Sequence, residues 1–213
     1  MSILEQLACA QKTNSEVPNQ ELAGRLAVSP DPAAIQELAA NLWEKNPAVA
    51  NDCIKVLYEI GYRNPALIAP YAGDFLKLLR SKNNRLVWGG MIALSTVAAL
   101  CAGELYPHVG EIQNAMGKGS VIAVDAGVLA LARIAAADPG CNRAVFPFLL
   151  EHLRTCRPKE VPQHAEKVLL AVDAANAAEF VAVLEARLGN ATPAQLARLK
   201  RVLKQAKQRM ELS

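Results

Sequence analysis

The stretch NNRLVWGGMIALSTVAALCAG, from Asn83 to Gly103, shows how this chain is built. It contains no charged residue after Arg85. Its apolar and small positions are separated by steps of four, three, one and three residues, which places them on one face of an α-helix. These positions are Leu86, Gly90, Ala93, Leu94 and Val97. We therefore predict a helix that buries this face.

The same pattern recurs along the chain, 37 residues earlier, 37 residues later, and then after a further 38 and 34 residues. The recurring positions are Val49, Cys53, Val56, Leu57 and Ile60; Ala123, Gly127, Ala130, Leu131 and Ile134; Val161, Ala165, Val168, Leu169 and Val172; and Gln195, Leu199, Val202, Leu203 and Ala206. A partner helix precedes each, with paired positions at Ala34 and Leu38, Tyr71 and Phe75, His108 and Ile112, Phe146 and Leu150, and Phe180 and Leu184. Two helices per unit at this period are typical of a helical solenoid.

With this pattern the chain resembles the HEAT/armadillo family of α-solenoids over roughly residues 30–210. The resemblance implies an all-α, right-handed α-solenoid and a scaffold role rather than a reaction. We expect one domain with about five helix-pair repeats at residues 30–62, 63–100, 101–138, 139–174 and 175–213. Residues 1–29 are expected to form an N-terminal helical cap, with short helices at 2–11 and 19–28.

Helix boundaries are marked by capping residues and by proline and glycine. Asp31, Asn46, Asn64 and Asp138 each precede a proline, which is the favoured order of an N-cap and a first helical residue. Thr192 and Gln195 have the spacing of a capping box. Helices are predicted to stop at Gly61, Gly117 and Gly189.

Composition favours a cytoplasmic protein without a membrane span. The five cysteines are odd in number and include no Cys-x-x-Cys pair, which predicts reduced thiols rather than a disulfide framework. The N-terminus lacks a signal-peptide pattern. The 18 uncharged residues from Leu86 to Gly103 approach the length of a membrane span, but the sister helices carry charges such as Asp52 and Lys167. We predict a helix buried among its neighbours.

No catalytic, cofactor or metal site is predicted from the motifs. His152 and Cys156 are four residues apart and could share a metal, but one pair is insufficient, and His164 has no evident partner. His108 occupies a position that is aromatic in sister repeats, so we expect it to pack. The sequence Gly117–Ser120 is not a phosphate loop, because Ile112 stands where a glycine is required.

On the second helix of each predicted repeat, another stripe of residues faces away from the core pattern. Trp88 is two residues from both Leu86 and Gly90, about 200° around the helix. The family resemblance implies that these helices line a concave surface. The candidate partner-binding residues are Tyr58, Arg85, Trp88, Ile92, Asp125, Leu129, Lys200, Arg201 and Lys204.

Three functions remain open. The first is a non-enzymatic scaffold that binds a protein or peptide, with Trp88 as anchor. The second is nucleic-acid binding through the basic C-terminal helix, since residues 190–213 carry six basic side chains and one acid. This second function resembles alkylpurine DNA glycosylases built on HEAT-like repeats, with Trp88 and Asp125 as the matching residue types. The third resembles HEAT-repeat lyases and chaperones of bilin chromophores.

Overall fold

A computed structural model describes residues 2–210 and shows twelve α-helices and no β-strand within that range. The helices are α1 (Val17–Val28), α2 (Pro32–Ala40), α3 (Pro47–Arg63), α4 (Ala72–Leu78), α5 (Asn84–Val97), α6 (Ala102–Leu105), α7 (Val109–Lys118), α8 (Val121–Ala135), α9 (Pro139–Thr155), α10 (Val161–Val168), α11 (Ala177–Ala186) and α12 (Pro193–Met210). Short 3₁₀ turns connect several of them. Contacts divide the chain into two compact units, which meet in sequence within α8, between Ala130 and Leu131.

In the first unit, α3 packs against α1, α2 and α5, and α4 packs against α5. The repeated leucines form the centre of this packing, because Leu57 and Leu94 are both completely buried. Gly90 allows α5 to approach α4 closely. A Cβ atom at this position would lie 2.9 Å from Leu78 Cβ and 3.1 Å from the carbonyl oxygen of Phe75.

The N-terminal segment differs from its predicted form. Residues 2–11 form no α-helix; a 3₁₀ helix at Ile3–Gln6 is followed by turns. Side chains of other segments hold this irregular backbone in place. The amide of Ala8 donates to Asn19 Oδ1 at 3.0 Å, and that of Cys9 donates to Asp52 Oδ2 at 2.8 Å. Because these side chains satisfy amides that lack helical partners, the turns remain packed on α1 and α3.

Most predicted helix starts are confirmed. Asp31, Asn46 and Asp138 accept hydrogen bonds from the first amides of α2, α3 and α9. Asn64 makes no side-chain cap, since Pro65 begins only a three-residue 3₁₀ turn. The capping box of α12 is present, with the Thr192 amide donating to the side chain of Gln195 at 2.9 Å.

The prediction that Gly61 ends a helix is wrong, because Gly61 lies inside α3. A Cβ atom there would come within 2.3 Å of Thr96 Oγ1 and 2.7 Å of Ile68 Cδ1. This glycine therefore serves close packing rather than helix termination. α7 ends one residue after Gly117, near the predicted stop.

In the second unit, α12 packs against α10 and α11, and α9 packs against α10 and α11. Phe180 and Leu184 of α11 and Leu149 of α9 are completely buried. α10 is shorter than the repeat pattern predicts. It ends at Val168, and a 3₁₀ turn carries the chain to Val172, which is buried although it is extended. Within residues 2–210, no helix is long and apolar enough to cross a membrane.

Candidate functional site

Three aromatic side chains lie in a row on α3 and α5 of the first unit. The ring of Tyr58 is 5.9 Å from that of Tyr62 and 6.2 Å from that of Trp88, measured between centroids. Both distances fall in the range of favourable aromatic pairs. Tyr58 is therefore the middle member of a continuous row, which we call the aromatic strip (Tyr58, Tyr62 and Trp88).

Two cations contact the aromatic strip. The Lys55 ammonium lies 4.9 Å from the centre of the Tyr58 ring, and the Arg85 guanidinium lies 5.7 Å from the centre of the Trp88 ring. A cation at such a distance is attracted by the electron-rich face of the ring. Arg85 therefore supports Trp88 on one side of the strip.

Acidic side chains bind the same cations. Glu16, which directly precedes α1, lies 2.8 Å from the Lys55 ammonium and 3.0 Å from the Arg85 guanidinium. Glu59 forms a third ion pair, 2.9 Å from Lys55. Burial alone would lower the pKa of Lys55, but hydrogen bonds with Glu16 and Glu59 raise it above its ordinary value. Lys55 thus stays charged although its side chain is only 6% exposed.

The strip is exposed at one end, half-buried at the other and buried at its centre. Tyr62 is 59% exposed, Trp88 is half-buried, and Tyr58 is 5% exposed. Burial, above all, raises the pKa of the Tyr58 hydroxyl, so this group stays neutral at physiological pH. A partner could therefore contact Tyr62 and Trp88, with Tyr58 as their support.

The other predicted residues of the first unit lie on α5 and α8. Ile92 is 8% exposed and belongs to the packed part of α5. Asp125 and Leu129 are half-buried on α8. Burial, above all, raises the pKa of Tyr62; the charges of Glu59 and Asp125 raise it further, and Lys55 opposes them.

The basic residues Lys200, Arg201 and Lys204 are exposed on α12 in the second unit. Other cations of this helix have partners within the same unit. Arg198 is 2.6 Å from Glu166, and Lys207 is 2.8 Å from Glu185. Part of the basic character of α12 therefore serves packing of the unit.

Sequence reasoning missed Tyr62 and Glu16. Tyr62 could have been found, because it follows Tyr58 by four residues and so shares its helix face. Glu16 could not, because it is 69 positions from Arg85 and only the fold brings the two together.

Two histidines lie in surroundings that the sequence did not show. His108, which was expected to pack, does so only in part: its side chain is 44% exposed, and its Nδ1 lies 2.9 Å from Glu111 Oε1 at the end of a 3₁₀ turn. His164 has a partner after all. Its Nδ1 lies 3.0 Å from Nε2 of His152, and Cys156 is close to both rings.

Comparison with known proteins identifies the fold. No family model and no curated protein match the chain. Among solved structures, an engineered protein matches with a TM-score of 0.66 and 18% identity over 98% of this chain and 100% of its own. A computationally designed armadillo repeat protein for modular peptide recognition matches with a TM-score of 0.58 and 18% identity, over 95% of this chain and 98% of its own.

Kap121p matches with a TM-score of 0.65 and 15% identity; the similarity covers 98% of this chain but only 23% of Kap121p. Identities this low establish the fold alone. The predicted HEAT/armadillo-like helical-repeat architecture is confirmed. The number and boundaries of the repeats remain a prediction.

Proposed function

We propose that this chain, with its HEAT/armadillo-like fold, is a non-enzymatic scaffold that binds a peptide segment of another protein. The observation that carries this proposal is the aromatic strip, with Tyr62 59% exposed and Trp88 half-buried beside it. Aromatic residues make up only 5% of the chain, so an exposed ring at Tyr62 and a partly exposed ring at Trp88 in the same row favour a surface that a partner covers.

The residue types of the strip suit a binding hot spot. Trp, Tyr and Arg are the residues that most often dominate the binding energy of interfaces, and Trp88, Tyr62 and Arg85 combine all three. Large rings also lose little conformational entropy on binding, because they have only two rotatable side-chain bonds.

The strip is also held in place before a partner arrives. Glu16 binds both Lys55 and Arg85, and these two cations lie against Tyr58 and Trp88. Because these side chains are already ordered in the free protein, they lose less conformational entropy on binding, and a preorganised surface therefore gains affinity. The peptide-recognition purpose of the designed armadillo protein agrees with this use of the fold.

The test is a peptide selection followed by calorimetry on variants of the full chain. Peptides selected from a random library on the wild-type protein are titrated against Trp88→Ala and Tyr62→Ala. We expect each variant to lose about 30-fold or more in affinity, the usual size of a hot-spot effect of about 2 kcal/mol. Trp43→Ala is the matched control, because Trp43 is 52% exposed at the end of a 3₁₀ turn after α2.

Three results would contradict the proposal. The first is that no peptide is selected, the second is that Trp88→Ala binds as tightly as wild type, and the third is that Trp43→Ala loses as much affinity. Circular dichroism of each variant separates lost binding from lost folding.

A further inference from the structure

Two histidines and a cysteine converge in the second unit, at the hairpin between α9 and α10. His152 and Cys156 are one helical turn apart at the end of α9, and His164 is buried in α10. Nε2 of His152 is 3.0 Å from Nδ1 of His164. One nitrogen of each ring and the Cys156 sulfur all lie within 4.8 Å of one another.

These distances are close to those of a tetrahedral metal site. Zinc binds imidazole nitrogen at about 2.0–2.1 Å and thiolate sulfur at about 2.3 Å. Tetrahedral angles then place two nitrogens about 3.3 Å apart, and a nitrogen and a sulfur about 3.6 Å apart. The observed nitrogen separation of 3.0 Å and the 4.8 Å limit for the cluster require movements of roughly 1 Å. Rotation of half-buried side chains can supply movements of this size.

A metal ion binds a neutral imidazole and a thiolate. Burial, and then the neighbouring His164, lower the pKa of His152 to about 4, so this ring is neutral at physiological pH. Neutral imidazole is the form that binds metal ions. Burial raises the pKa of Cys156, while the charge of Arg187 opposes that effect. A divalent ion bound by the sulfur would displace the thiol proton to solvent.

The backbone that carries the cluster is fixed by contacts of its own. The amide of Cys156 donates to the carbonyl of His152 at 2.8 Å, which keeps the two side chains on one helix face. The guanidinium of Arg187 donates to the carbonyls of Arg154 and Cys156 at the end of α9. Arg187 thereby satisfies carbonyls that the helix end leaves without partners.

The types of ligand atom in the cluster indicate which class of metal ion it would bind. Two imidazole nitrogens and one thiolate suit Zn²⁺ and related transition-metal ions, whereas Mg²⁺ and Ca²⁺ prefer oxygen ligands. Only three histidines exist in the chain, and two of them meet here with a cysteine. Because His152 and Cys156 are half-buried, an ion can reach the cluster from solvent.

We infer that His152, Cys156 and His164 form a Zn²⁺-binding site with three protein ligands and a fourth position for water or an external ligand. A bound ion would join the end of α9 to α10 and replace the direct contact between the two rings. This inference is independent of peptide binding, because all three ligands lie in the second unit and the aromatic strip lies in the first.

The test is titration of the metal-free full chain with Co²⁺, followed by displacement with Zn²⁺. We expect about one equivalent of Co²⁺ to give the visible bands of tetrahedral cobalt and a near-ultraviolet thiolate-to-cobalt charge-transfer band. Loss of an outer-sphere partner already costs roughly 10–100-fold in metal affinity. Loss of a ligand in Cys156→Ser or His152→Gln should therefore cost at least about 100-fold.

The matched control is Cys101→Ser, which changes another half-buried cysteine that belongs to the first unit. It should bind Co²⁺ as wild type does and keep the charge-transfer band. His164 is only 2% exposed, so its substitution risks misfolding; Cys156→Ser and His152→Gln change half-buried positions and are checked by circular dichroism.

The inference is overturned if wild type gives no charge-transfer band, or if Cys156→Ser and His152→Gln bind Co²⁺ within tenfold of wild type. An equal loss in Cys101→Ser would also overturn it, because the ion would then be bound elsewhere.

Discussion

Glu16 and Arg85 form an ion pair of 3.0 Å although they are 69 positions apart in the chain. The same carboxylate binds Lys55 at 2.8 Å, and each cation lies against a ring of the aromatic strip. Glu16 therefore connects the segment before α1 to both α3 and α5. The predicted N-terminal cap thus contributes directly to the surface on which peptide binding is proposed.

Substitution of Glu16 should destabilise the first unit modestly. In Glu16→Gln the buried ammonium of Lys55 loses one of its two anionic partners and keeps Glu59. Removing a partner from a fully buried ion pair costs about 3–5 kcal/mol, but the Glu16 side chain is 45% exposed. We expect a loss of about 1–2 kcal/mol in urea unfolding.

Glu21→Gln is the control for this variant, because Glu21 is exposed on α1. It should change the free energy of unfolding by less than about 0.5 kcal/mol. Equal stability of Glu16→Gln and wild type would show that the ion pair with Lys55 contributes nothing to folding.

Truncation of Leu94 should have a much larger effect. Leu94 is completely buried at the centre of α5, so Leu94→Ala removes apolar contacts and leaves a cavity. We expect a loss of about 2–5 kcal/mol, measured by urea denaturation. Leu100→Ala removes the same atoms from a side chain that is 59% exposed and should cost less than about 0.5 kcal/mol. Similar losses in both variants would contradict the repeat register.

His152 should make stability depend on pH below neutrality. The pKa of His152 is lowered from 6.5 to about 4, first by burial and then by His164, with Glu160 opposing. The unfolded chain therefore binds this proton more readily than the folded chain. The free energy of unfolding therefore has its full value above about pH 6.5 and decreases as the pH falls toward 4.

Urea unfolding in the presence of a chelator measures this effect. Between pH 7.5 and pH 4.5, His152 should account for a loss of roughly 2–3 kcal/mol, which His152→Gln should not show. Burial raises the pKa of Glu59, but hydrogen bonds with Arg63 and Lys55 together lower it below its ordinary value, so acidic groups of this kind lose their contribution at still lower pH in both proteins. If wild type and His152→Gln lose the same stability over this range, the lowered pKa of His152 is refuted.

The repeat pattern predicted the core because burial follows helical periodicity. Leu57, Leu94 and Leu131 occupy equivalent positions and are all completely buried. The placement of Trp88 was predicted less completely. Periodicity gave its direction away from the core face, but the ring of Tyr58 covers part of it and leaves it half-buried. Helical period assigns a face and gives no information about the neighbouring helix.

Contacts between distant segments could not be predicted from one sequence. His152 and Cys156 showed their spacing, but His164 joins them only because the chain reverses between α9 and α10. The 3₁₀ turn at Pro158–Glu160 and the start of α10 at Val161 decide which side of the helix His164 faces. A shift of one residue would rotate this ring by about 100°.

The last prediction concerns nucleic acid. Lys200, Arg201 and Lys204 are exposed on α12, whereas Arg198 and Lys207 are paired with Glu166 and Glu185. Three exposed cations can neutralise about three phosphates, so the logarithm of duplex DNA affinity should fall by about 2.7 for each tenfold rise in salt. With so few contacts, we expect only weak binding without sequence preference at physiological salt.

Fluorescence anisotropy at several salt concentrations measures the slope, and Lys200→Ala should reduce it by about 0.9 if this residue contacts a phosphate. Submicromolar affinity for unrelated duplexes at physiological salt would instead favour a nucleic-acid-binding function over the peptide-binding scaffold.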